Sequence, residues 1–139
     1  MGQLLNNLIR IFILMAVMII SGETGFCWQQ KVDYSITALL DDEGHVIDAN
    51  ETIIYHNNSP DTLNELYFHL YANAFADKNS VFAQEAYIAG DDRLYFAASD
   101  DMGGITITNI IDDNIESHEI EGTLLTIVLK KPLLPNSIT

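Results

Sequence analysis

The chain has 139 residues, 48% of them hydrophobic, with 20 acidic against 6 basic side chains and a formal net charge of −14. That apolar content is too high for a disordered chain. An exterior this acidic repels phosphate backbones and anionic headgroups, which argues against direct nucleic-acid binding. With a single cysteine, no intrachain disulfide is available.

The N-terminus opens with polar residues and one cation, Arg10, followed by the apolar run Ile11 to Ile20. Ten apolar residues suit the core of an export signal and fall short of the about 20 needed to span a bilayer. Ser21, Gly22, Thr24 and Gly25 mark a cleavage region, with Gly25 and Cys27 as small residues before a cut ahead of Trp28. Residues 1–27 are therefore expected to be a signal helix that is removed. The alternative is a retained membrane anchor over residues 4–20. Cys27 has Phe26 before it, where lipoprotein signals want a small residue, so it is read as lost with the leader or left as a plain thiol at the junction.

From Trp28 the pattern becomes β. Val32, Tyr34, Ile36, Ala38 and Leu40 alternate with more polar neighbours, the period of a half-buried strand. Asp41-Asp42-Glu43-Gly44 reads as a hairpin turn with Gly44 at positive φ. As a calcium loop it lacks the alternating ligands and distal glutamate of an EF-hand. His45 to His56 is the partner strand, rich in β-branched residues around Thr52, Ile53 and Ile54. Asn57 to Asp61 then turns the chain into Leu66-Tyr67-Phe68-His69-Leu70-Tyr71, apolar on both alternating faces. Such a strand is expected to be central and covered on both sides, completing a three-stranded antiparallel meander. Asn50 and Asn57 begin formal glycosylation sequons, but one sits in a strand and the other precedes Pro60.

Residues 77–89 switch to helical spacing, with Asp77 as the expected cap and Gly90 as the stop. A short strand at 94–97 and another over 104–111 are expected next. A hairpin follows, from Glu116–Ile120 to Thr123–Leu129 around Glu121-Gly122. The segment 132–137 is a turn, and Ile138-Thr139 reads as the start of a further strand. The fold class expected is mainly β, an antiparallel β-sandwich over residues 28–139 with one short helix, incomplete at its C-terminal side.

No residue set reads as a catalytic, cofactor or metal site. His45, His56, His69 and His118 are far apart and sit singly on strands or turns. His118-Glu119 opens like the helical H-E-x-x-H zinc motif, but Gly122 stands where the second imidazole must be. Tyr67, Tyr71, Tyr87 and Tyr95 read as core aromatics rather than stacking platforms.

Several segments, in order, resemble the N-terminal domain of aminopeptidase N-like zinc metallopeptidases, closest to an exported bacterial branch. They are Trp28 to Tyr34, Tyr55 to Leu63, Leu66 to Phe75, Lys78 to Ala83, the acidic loop before Gly104-Ile105, and Pro132 to Thr139. The resemblance implies a saddle-like β-sandwich that packs against a thermolysin-like catalytic domain and helps wall its substrate cleft. The zinc, its H-E-x-x-H ligands, the activating glutamate and the segment gripping the substrate amine belong to that other domain. None of those residues transfers to this chain. The expectation is thus a non-catalytic piece of an exported zinc aminopeptidase. Its partner is the catalytic domain of the same polypeptide, with zinc and peptide bound only by the full-length protein. The competing expectations are a stand-alone secreted β-sandwich module binding a protein or glycan, and a small membrane-anchored structural protein.

Overall fold

The computed structural model describes Gln3 and residues 28–139. The expected signal helix, apart from Gln3, and Cys27 lie outside the described residues. The described chain is mainly β, with two antiparallel sheets and one α-helix. The first sheet is a long hairpin of β1 (Lys31–Asp41) and β2 (Val46–His56), paired without a break from Lys31↔His56 to Asp41↔Val46. The second contains β3 (Leu63–His69), β4 (Ile115–Glu121) and β5 (Leu124–Leu133) in the order β3-β5-β4.

The hairpins fall where the alternation placed them, but the first turn is built differently. Asp41 Oδ1 accepts from the backbone N–H groups of Glu43 at 3.2 Å and Gly44 at 2.9 Å. That local cap carries the left-handed residue one position further, to His45 at φ 53°. Gly44 does not take the positive φ expected of it; its use is space, because a Cβ there would lie 2.7 Å from Asp41 Oδ2. At the β4–β5 turn, Gly122 does adopt φ +56°, the conformation glycine enters without a Cβ penalty.

Two expectations about the segment after Asn57 are corrected. No meander forms, because β3 leaves the hairpin and pairs with β5. Nor is β3 central or covered on both faces. It is an outer strand, and β5 holds the middle. Leu66, Phe68 and Leu70 do share the inner side, with Leu66 and Leu70 buried. On the other side Tyr67 is 57% exposed, and Tyr71, already in a 3-10 turn over Tyr71–Phe75, is 73% exposed. The reason lies in their polar tips. Tyr67 donates its hydroxyl to Glu65, and His69 stacks on Tyr71 at 5.1 Å, so these rings keep one end wet.

The core belongs to the second sheet. Leu66, Leu70, Leu125, Ile127, Leu129 and Leu133 form one buried cluster. From Leu125 to Leu129 the inward residues of β5 recur at every second position, as a pleated strand requires. Tyr55 brings the hairpin onto this cluster and meets Phe68 edge to face at 6.2 Å.

The helix α1 (Val81–Ile88) is shorter than the helical spacing suggested, and its cap is Ser80 rather than Asp77. Ser80 Oγ accepts from Ala83 N–H at 3.1 Å while donating to Ala74 O at 2.6 Å. A hydroxyl that donates as well as accepts ties the cap to the preceding turn, which a carboxylate at Asp77 is unable to do. Gly90 closes α1 at φ +92°. The strands expected at 94–97 and 104–111 are absent. Residues 94–97 turn helically, with Phe96 N–H bonded to Asp92 O. Residues 104–111 run irregularly, and the two isoleucines that pack on the core, Ile107 and Ile110, are three apart rather than two.

Candidate interaction surface

The register of the hairpin sorts its side chains. Tyr34 opposes Ile53, Ile36 opposes Glu51, Ala38 opposes Ala49, and Leu40 opposes Ile47. All eight share one face, since side chains alternate along each strand and directly opposed residues point the same way. Asp33, Ser35, Thr37, Asp48, Asn50 and Thr52 fall on the other, together with the exposed Leu39, Val46 and Ile54. The first face is the more apolar of the two, with Glu51 its one carboxylate. Near the base, Val32, Ile53 and Tyr55 are half-buried. Toward the tip the face is open: Tyr34, Ile36, Leu40 and Ile47 are between 55% and 67% exposed. Residues of this kind fill cores elsewhere in the molecule.

The polar face carries a small charge cluster at its base. Asp33 Oδ2 lies 2.6 Å from Lys31 Nζ and 2.9 Å from His56 Nε2. The bonds from Lys31 and then His56 hold its carboxyl below the usual aspartate range.

Where the hairpin joins the second sheet, the organising residue is Asn57, fully buried. Its Oδ1 accepts from Ser59 N–H at 3.0 Å, Ser59 Oγ at 2.6 Å and Gln30 Nε2 at 3.2 Å. Its Nδ2 donates to Asp61 O at 2.8 Å and Leu133 O at 3.0 Å. Its backbone N–H reaches Ser137 O at 3.0 Å, and its carbonyl accepts from Asn136 N–H at 2.7 Å. One side chain thus fastens the N-terminal approach, the turn, the end of β5 and the C-terminal segment. The sequon at Asn57 is spent on this packing. The sequence showed only a turn-forming word there; complete burial of an amide leaves no compositional mark.

The histidines remain on separate elements: His45 in the first turn, His56 ending β2, His69 ending β3 and His118 on β4. His118-Glu119 lies on an extended strand, so the spacing of a helical zinc motif does not apply. Among the described residues no three His, Cys, Asp or Glu side chains group as a metal-ligand set. A shallow cleft lies beside the N-terminus of α1, lined by Asn73, Asp77, Ser80 and Gly104 among others. There Asn73 Oδ1 accepts from Ile105 N–H at 2.6 Å, and its Nδ2 donates to Gly122 O at 3.3 Å. That asparagine is occupied in holding loops together.

The aromatic residues beyond α1 do not form a buried core. Tyr87 and Tyr95 stack at 4.4 Å, Phe96 meets both edge-on, and Phe96 is 70% exposed. No helix among the described residues is long and apolar enough to cross a membrane. No family model, no curated protein and no solved structure matches the chain.

Proposed function

We propose that residues 28–139 form the non-catalytic N-terminal β-domain of an exported, aminopeptidase N-like zinc metallopeptidase, a supporting wall for a catalytic domain in the same polypeptide. The observation that carries this reading is the uncovered apolar face of the β1–β2 hairpin. An apolar patch left contiguous in water marks a surface that something covers. Two copies of a chain with net charge −14 repel one another, which favours a cover of different charge. The ordered resemblance from Trp28 to Thr139 supports a catalytic domain of the same polypeptide as that cover. Zinc and the peptide substrate are held by the catalytic domain, and this chain contributes shape and a docking face.

The test is the coding sequence beyond Thr139 together with an assay. An H-E-x-x-H motif is expected within roughly the next few hundred residues of a protein of this architecture. This chain alone, supplied with zinc, is expected to leave an aminoacyl reporter intact; hydrolysis that persists after contaminating proteases are removed overturns the reading. The exposed Tyr87, Tyr95 and Phe96 group favours a second reading, a stand-alone module binding glycans. Calorimetry with soluble oligosaccharides separates the two, since only that module takes up sugar.

A further inference from the structure

β2 has two edges. One is paired with β1 along its whole length. On the other, a ladder has already begun. Ile138 bridges His56 in the antiparallel sense. Tyr55 N–H donates to Thr139 O at 2.9 Å, and Thr139 N–H donates to Tyr55 O at 3.1 Å. One step further out, Asn57 N–H donates to Ser137 O at 3.0 Å. Alternation of an antiparallel strand then aims the N–H groups of Ile53, Glu51, Ala49 and Ile47 at the same edge. Among the described residues no strand pairs with that edge beyond Tyr55. An unpaired row of this length, on a strand with an apolar face, is a template for a further strand.

We infer that the free edge of β2 from Val46 to Ile54 is a strand-docking edge, and that its occupant is the polypeptide following Thr139. This rests on the reading above that the chain continues. The ladder in place fixes the register: each residue past Ile138 pairs one residue further back along β2 from His56. About nine residues, at ~3.3 Å each, run the edge out to Val46. The second, sixth and eighth residues after Thr139 land beside Ile53, Ala49 and Ile47 and extend the apolar face. The fourth lands beside Glu51, where lysine or arginine answers the only carboxylate on that face. The hairpin becomes a three-stranded sheet, and the surface offered to the catalytic domain widens by one strand.

Register-specific cross-linking of the full polypeptide tests this. In a Cys27→Ser background, Thr52→Cys is combined with cysteine at the second, third or fourth residue after Thr139. Only the third shares Thr52's face in a directly opposed, non-hydrogen-bonded pair, within reach of a disulfide. A disulfide is expected from that pair alone. Residue-resolved hydrogen exchange of the unmodified polypeptide is expected to slow Ile47, Ala49, Glu51 and Ile53 amides by about 100-fold or more relative to unpaired edge amides. Fast exchange at all four, cross-linking at the second or fourth position instead, or a stop codon directly after Thr139 overturns the inference. A continuation that pairs as described but lacks H-E-x-x-H removes the peptidase reading and leaves the strand standing. A zinc peptidase sequence with an unpaired β2 edge does the reverse.

Discussion

Replacing Asn57 by alanine should be the most damaging polar substitution in the described chain. Five hydrogen bonds end on its side chain. Gln30 and Asp61 lie near enough to solvent to regain water, and Ser59 Oγ keeps Asp61 O at 3.1 Å. The Ser59 N–H and the Leu133 carbonyl are left without partners in a buried place. At about 1–3 kcal/mol for each orphaned group, plus the void left by the amide, the loss comes to about 3–5 kcal/mol. That is a large share of the roughly 5–15 kcal/mol that holds a domain of this size together. Asn57→Asp sharpens the test. It keeps the acceptor toward Ser59 but turns a second oxygen on the Asp61 and Leu133 carbonyls. The introduced carboxyl is then favoured protonated, with a folded pKa above the ordinary ~3.9. Its stability relative to wild type is highest below that value and falls as pH rises through it to the raised folded value. Urea titrations at pH 4 and pH 7 read both effects. A loss under about 1 kcal/mol for Asn57→Ala, or a pH-independent Asn57→Asp deficit, would refute the assignment of Asn57 as the buried tie between the sheets.

Other perturbations probe separate levels of the structure. Ile127→Ala, in the middle of the central strand, should cost about 2–5 kcal/mol in the same urea titration, whereas Ile36→Ser on the open hairpin face should stay within about 0.5 kcal/mol. The same Ile36→Ser change should lower binding of a hydrophobic dye, and unchanged dye fluorescence would argue that the face is not open. Ser80→Ala removes both the cap on Ala83 and the bond to Ala74 O, and about 0.5–2 kcal/mol is expected, read as faster amide exchange across α1. Arg93 sits on Asp91 and lowers its carboxyl to about 2. In Arg93→Ala the NMR titration midpoint of Asp91 should therefore climb back toward 3.8, and a midpoint that stays low would place the cause elsewhere.

Alternation of apolar and polar residues was enough to locate both hairpins, because the signal there is local: a strand's two faces meet different solvents, and the turns between them need particular residues. The helix was legible for the same reason, though its cap was not. Asp77 and Ser80 are both good caps by residue type, and only the nearness of Ala74 O decides between them. Where the letters misled was Tyr67, His69 and Tyr71, which score as apolar yet carry a polar end that water or a neighbour satisfies. Ile105 and Ile107 likewise alternate without making a strand: the isoleucines of that segment that pack on the core are Ile107 and Ile110, three apart.

Composition and periodicity by themselves determined a mainly β chain with two hairpins, one short helix and an acidic exterior. Tertiary structure decided that β5 rather than β3 is central, that Asn57 is a buried tie rather than a surface turn, and that the hairpin's apolar face stands open. The division has one cause. Pairing partners and burial depend on residues some seventy positions apart, as between Asn57 and Leu133, and a contact over that distance is set by the whole packed chain, leaving no period in the sequence to read.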